Sequence, residues 1–255
     1  MLTSLIPAWR KQWGDCASRR EVLRMCLGVL ASLPFCVIIT PGCKASNSVA
    51  SRLKEGRMNL SKPKTDGNVS VEKAIKTRRT VRTFASRQLT FDQFSQILWS
   101  SQGITEDGGY KRAAPSAGAL YPMDVYAVVG HDAVNGIVPG IYHYDPKTHS
   151  LSLIAEGDHR DELARASLSQ IWMAKAPVNL VICAEYHRVT VKYGARGERY
   201  AMMESGHIAQ NIFLQTRALG LDAGIVGAFL DAEVKKALRI EAAHEPLLIM
   251  PVGYR

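Results

Sequence analysis

Ala176-Pro-Val-Asn-Leu-Val-Ile-Cys-Ala-Glu185 and, a short way on, Arg196-Gly-Glu-Arg-Tyr-Ala-Met-Met-Glu-Ser-Gly-His-Ile-Ala-Gln-Asn-Ile-Phe-Leu-Gln-Thr-Arg-Ala-Leu219 decide the class of fold. The first stretch is a continuous apolar run of strand length, which predicts a central strand. In the second, Met202, Ile208, Ile212, Leu219 and their neighbours recur with a helical period, and Gly220 stops the helix. Outward from this pair, Met123 to Val129 reads as a strand. Gly140–Tyr144 and Ser150–Ile154 read as a hairpin joined through Asp145-Pro146-Lys147-Thr148. Asp158 is expected to cap a helix reaching Ser169. Upstream, Thr90 and Gln93 form a capping box for a helix that carries Phe91, Phe94, Ile97 and Leu98 and ends near Gly103, and a short helix covers Val71 to Lys76. Downstream, strands are expected near Asp222–Val226 and Leu247–Pro251, with a helix begun at Asp231 between them. Helices and strands mix without strict alternation, so an α+β layer fold is favoured over a doubly wound one.

The 255 residues carry 32 Lys and Arg against 23 Asp and Glu, a formal net charge of +9. That excess sits at the front: residues 1–43 hold +3, residues 44–70 hold +4, and residues 71–255 only +2. The body therefore offers no basic face for nucleic acid. An apolar share of 47% excludes a disordered chain. Cys16, Cys26, Cys36 and Cys43 lie in the front segment, leaving Cys183 alone in the body. Disulfides and a zinc cluster have nothing to build on there, and Cys183 reads as a small buried hydrophobe.

Three parts are expected. Residues 1–43 have the layout of an export signal: Ser18-Arg-Arg-Glu-Val-Leu23 resembles a twin-arginine signal, an uncharged stretch runs from Met25 to Thr40, and Thr40-Pro-Gly-Cys43 resembles a lipobox in which Cys43 is lipidated. Such processing would place the protein on the cell-envelope side, held to a membrane by an N-terminal lipid. Residues 44–70 are polar and basic and read as a tether. Residues 71–255 form the folded domain.

Few familiar catalytic motifs survive inspection. Ala114-Pro-Ser-Ala-Gly118 approximates a serine-hydrolase elbow, but a glycine-rich loop precedes it and a strand follows, which inverts the elbow. Glu204-Ser-Gly-His207 is half of a di-iron pair without a second copy. No Walker loop is present, so a phosphate would need another grip. Arg78-Arg-Thr-Val-Arg82 supplies one, with three guanidiniums and a hydroxyl after a short helix. The long stretch Gly103–Pro122 is expected to be functional at that length.

The ordered set Arg78-Arg-Thr-Val-Arg-Thr-Phe84, Pro115-Ser-Ala-Gly-Ala-Leu-Tyr-Pro122, Lys192-Tyr-Gly-Ala-Arg-Gly-Glu-Arg-Tyr200, Glu204-Ser-Gly-His-Ile-Ala-Gln-Asn211, Ala218-Leu-Gly-Leu-Asp222 and Gly227-Ala-Phe229 resembles the nitroreductase-like flavoproteins. Within them it is most similar to the branch of azoline oxidases called SagB-type dehydrogenases. The resemblance covers about residues 71–255. It implies a mostly antiparallel central sheet flanked by helices, a homodimer with two flavin sites at the subunit interface, and FMN as cofactor. It places the FMN phosphate at Arg78, Arg79, Thr80 and Arg82. The ring would lie along Pro115, Ser116, Ala117 and Gly118, and flavin N5 would face the Ile225, Val226 and Gly227 turn. A basic residue often follows the last strand in such proteins, a role open here to Arg255. Lys192 and Tyr193 match a pair implicated in proton removal during hydride transfer to FMN, with a structural helix entry as the alternative. The implied function is oxidation of a small-molecule substrate by FMN. The alternatives are an NAD(P)H-dependent nitro or quinone reductase and a flavin-binding lipoprotein without turnover.

Overall fold

A computed structural model describes residues 53–54 and 57–255. The export and lipidation motifs, including Cys43, lie outside them. Eight strands form one sheet: β1 (Leu53–Lys54), β2 (Arg57–Asn59), β3 (Met123–Val129), β4 (Gly140–Asp145), β5 (Ser150–Glu156), β6 (Val178–Ala184), β7 (Asp222–Ala223) and β8 (Glu245–Gly253). Their order is β1-β2-β5-β4-β3-β6-β8-β7, and every ladder is antiparallel. Six α-helices accompany them among the described residues: α1 (Val71–Thr77), α2 (Phe91–Gln102), α3 (Arg160–Ala166), α4 (His187–Tyr193), α5 (Arg196–Ala218) and α6 (Asp231–Leu238).

β3 and β6 are apolar along almost their whole length because both faces of the sheet are covered. Val125, Ala127, Val129, Leu180 and Ile182 pack with Phe94, Ile97, Ile208 and Ile212 of α2 and α5. Tyr126, Val128, Val181 and Cys183 face the other way, toward Leu163 of α3 and Val234 and Leu238 of α6. Period-2 alternation thus distributes apolar residues to two cores, and an unbroken apolar string is the result. Cys183 is buried, and burial pushes its thiol well above the usual range, as befits a packing residue.

The ends of the helices follow from local chemistry. The Thr90 hydroxyl accepts from the Gln93 amide while the Gln93 side chain accepts from the Thr90 amide, closing the capping box of α2. α5 ends in a Schellman motif: Gly220 at φ +72° lets its N–H reach Arg217 O and the Leu221 N–H reach Thr216 O at 2.8 Å.

Three expectations change. Residues 57–64 belong to the fold rather than to a tether. Arg57–Asn59 pairs with β5, Met58 is fully buried, and the Gln96 side chain bonds both backbone groups of Lys64. A single buried Met amid polar residues carries too little periodicity to mark a three-residue strand. The helix expected from Asp158 to Ser169 spans only Arg160–Ala166, because Leu168 and Ser169 adopt left-handed φ angles of +54° and +57°. Asp158 is taken by the Arg160 guanidinium and the His131 amide. On α5, Met202 and Met203 are 53% and 55% exposed, and the buried face runs through Ala201, Glu204, Ser205, Ile208 and Ile212.

Candidate functional site

The residues marked in the sequence fall into two groups, each leaning on α5. In the first, α1 delivers Arg78 to Arg82 to the β7 edge. Thr80 makes a parallel bridge with Ala223, and the Val81 N–H donates to Ala223 O at 3.0 Å. The Arg78 guanidinium lies 5.2 Å from the centre of the Phe213 ring on α5, and that of Arg82 lies 5.8 Å from the Trp172 ring. Arg79 turns back on its own chain, its Nη1 donating to Lys76 O and Arg78 O. Two of the three guanidiniums, Arg78 and Arg82, are therefore left for an outside anion.

Gly224 makes this group possible. A Cβ there would stand 2.7 Å from Val81 O and 3.1 Å from the Trp172 ring, so any side chain would push the two backbones apart. In the following turn the Val226 N–H donates to Ile249 O at 2.8 Å, which removes it from ligand binding through that amide. The amides of Ile225 and Gly227 have no protein acceptor among the described residues. Arg255 is exposed beyond β8.

In the second group the loop before β3 meets the end of α4. Gly118 sits at φ +61° inside the 3₁₀ turn Ala117–Ala119, and a Cβ on it would lie 2.7 Å from Tyr193 Oη and 2.9 Å from Lys192 Nζ. The resemblance had linked these two motifs only through a cofactor, yet they touch directly. Lys192 is exposed and Tyr193 half-buried, with the Tyr193 ring edge-on to Tyr200 at 5.2 Å. The Ser116 Oγ accepts from the Tyr121 N–H at 2.9 Å and donates to Glu204, which anchors the loop to α5. Asn211, also on α5, donates from Nδ2 to Ala113 O at 2.9 Å. Pro115 and Ala117 line the exposed side of the same turn. Phe213 and Glu204, the α5 anchors of the two groups, are nine residues apart, about 14 Å of helix rise.

α4 is held from below by an ion cluster. Arg188 pairs with Glu185 and with Asp124 Oδ2, the latter at 2.7 Å without hydrogen-bond alignment. Asp124 Oδ1 meets His143 Nε2 at 2.9 Å, and His244 Nε2 stands 3.5 Å from Oδ2. Burial alone would raise the Asp124 carboxyl, but the His143 bond and the charges of His244 and Arg188 outweigh it and hold it below the usual range. Asp124, Glu185 and His244 bring ligand atoms within 4.8 Å of one another, a spacing a metal could use. The Arg188 guanidinium lies against both carboxylates instead.

Glu204, Gln102, Arg112 and Asp124 escaped the reading of the sequence. One signal was available: Glu204 stands in register with Ala201, Ile208 and Ile212, an acid on the buried face of a helix. It is 2% exposed, and burial raises its pKa above 4.5 despite bonds from Ser116 and Gln102 and the charge of Arg112. Gln102 Oε1 is buried without a donor, which a protonated Glu204 would supply. The folded protein then binds this proton more tightly than the unfolded chain. The contribution is complete below 4.5 and is lost as pH rises through the folded value. Glu204→Gln is expected to remove that loss, so urea midpoints of variant and wild type should diverge in the variant's favour as pH rises from 4.5 toward neutrality. A gap that does not change with pH would refute a raised Glu204.

An eight-stranded antiparallel sheet sandwiched by helices, with an arginine-bearing edge and a glycine-lined loop, defines a nitroreductase-like fold. The sequence pattern of the Nitroreductase family matches residues 75–254, and the chain belongs to that family, a class of flavin-type oxidoreductases. It is 44% identical over 185 residues to the nitroreductase-family protein MJ1384 of Methanocaldococcus jannaschii, covering 72% of this chain and 91% of the relative. It is 26% identical over 170 residues to the microcin B17-processing protein McbC of Escherichia coli, covering 65% and 62%. A crystal structure of a nitroreductase-family protein from Ralstonia eutropha JMP134 superposes with a TM-score of 0.68 at 26% identity, covering 78% of this chain and 90% of that one.

Proposed function

We propose that the chain is an FMN-dependent oxidoreductase of the SagB type, moving hydride between a small organic substrate and FMN. The observation that carries this is the meeting of Lys192 Nζ and Tyr193 Oη over Gly118. It puts a candidate base and a candidate proton relay beside a loop with no side chain at its apex. Arg78, Arg82 and Thr80 would hold the FMN phosphate, Pro115 to Gly118 would border the ring, and the free amides of Ile225 and Gly227 would face it. FMN, when bound, supplies the two-electron chemistry. Lys192 takes the proton that the substrate loses, and Tyr193 orients it.

A homodimer fits the separation of the two groups along α5. Val71 and Ile75 on α1 are 62% and 54% exposed, matching Met202 and Met203 on α5 as an apolar face for a second copy. The similarity to MJ1384 favours a second reading, an NAD(P)H-driven nitro or quinone reductase.

The purified protein is expected to be yellow. Arg78→Ala and Arg82→Ala should each weaken flavin binding by about tenfold or more, since each removes charge-assisted bonds of about 1.5–3 kcal/mol. Protein refolded with excess FMN that shows no flavin absorbance would remove this function altogether. We further propose export through Arg19-Arg20 and membrane attachment through lipidated Cys43, as acylation contributes about 0.8 kcal/mol per buried methylene. Cys43→Ala should move the protein from the membrane to the soluble fraction, and unchanged fractionation would count against the anchor.

A further inference from the structure

A cavity of about 540 Å³ opens between the loop that carries Gly118, the start of β3, α4 and the β4–β5 hairpin. Its size is that of a small-molecule site. Arg188, on its wall, lies one helical turn from Lys192, and residues four apart share a face of a helix. Tyr121, also on its wall, belongs to the loop that Lys192 and Tyr193 touch. The cavity is thus a neighbour of the candidate reacting groups.

Its charges do not balance. The two acids are already served: Asp124 by His143 and Arg188, and Asp145 by the Lys147 amide and the Thr148 hydroxyl. Arg57, Arg112 and the Lys147 ammonium meet no acid within ion-pair distance among the described residues, although all three line the cavity. Arg112 is the most telling. Its guanidinium stacks 4.3 Å from the centre of the Tyr121 ring, and its Nε is buried without an acceptor. Its nearest acid, Glu204, is engaged by Ser116 and Gln102. Burial lowers the Arg112 pKa, the mark of a cation short of both water and counter-charge. A buried donor left unmade is costly, and an entering anion would satisfy it.

We propose that this cavity binds an anionic group, carboxylate or phosphate, carried by the molecule that reacts beside Lys192. Arg112 is the buried anchor, and Arg57 and Lys147 guard the mouth. The assignment of substrate class rests on the oxidoreductase reading, whereas anion binding itself does not. Arg78 and Arg82, the proposed flavin-phosphate residues, contact Phe213 and Trp172, neither of which lines this cavity.

The test is calorimetric titration of the full chain with benzoate, phenyl phosphate and neutral benzyl alcohol at constant ionic strength, with flavin content measured on each sample. Benzoate or phenyl phosphate should bind and benzyl alcohol should not; the tighter of the two identifies the carboxylate or phosphate source. Arg57→Gln combined with Lys147→Gln should weaken that binding about tenfold or more while leaving the thermal midpoint of the free protein unchanged. Arg112→Lys, which keeps the charge and loses the planar fork, should weaken it too. Equal affinity for all three probes, or an unchanged affinity in the double variant, overturns the proposal. Anion binding in a colourless protein would sink the flavin reading alone, and a yellow protein without anion binding would sink this one alone.

Discussion

Lys192→Ala is expected to keep its flavin and to lose about 10²–10⁴-fold in the rate at which an organic substrate reduces it. That is the usual contribution of a positioned general base. The side chain is exposed, so its removal leaves the core intact, and flavin absorbance provides the control. Its ammonium stands 5.4 Å from the centre of the Tyr193 ring and against Gly118, so the lost group is one held in place. Under the NAD(P)H-reductase reading, hydride arrives from the nicotinamide without a protein base, and the same variant should turn over almost normally with that donor. Stopped-flow comparison of the two half-reactions therefore separates the readings. Near-wild-type rates in both would retire Lys192 as a catalytic residue.

Gly118→Ala should cost about 10²-fold in the same half-reaction, because displacing a reacting group by about 1 Å is enough for such a loss. Two effects combine. The new Cβ would stand 2.7 Å from Tyr193 Oη and 2.9 Å from Lys192 Nζ, forcing both side chains away. The φ of +61° also disfavours any residue with a Cβ. The loop is exposed at this point, so the thermal midpoint should fall by only a few degrees. Gly206→Ala is a useful control, as a Cβ there meets nothing within 4 Å. If Gly118→Ala reacts at the wild-type rate, the contact between the loop and α4 has no part in the chemistry.

Much of this site could be read before any fold was known, and the reason is locality. The capping box at Thr90 and Gln93, the glycine stop at Gly220 and the 3.6-residue period of α5 depend on residues within a turn or two of one another. The apolar run of β6 is likewise a local pattern, although two cores produced it. The resemblance supplied candidate residues in five ordered motifs, and the family match supports the fold that they implied.

What the chain alone did not disclose depends on residues far apart. Glu204 and Gln102 are separated by 102 positions and meet only because α2 and α5 pack on the same face of the sheet. Lys192 reaches Gly118 because Arg188, one turn earlier on α4, is clamped to Asp124 at the foot of β3. Arg79 was indistinguishable from its neighbours until its side chain folded back on Lys76, and the Val226 amide until Ile249 claimed it. Composition and periodicity determined which segments are helices, strands and loops, since those preferences are short-ranged. The partner of each buried polar group, and with it the unpaired charge on Arg112, was decided only by tertiary packing, because burial makes such pairings obligatory without naming them in advance.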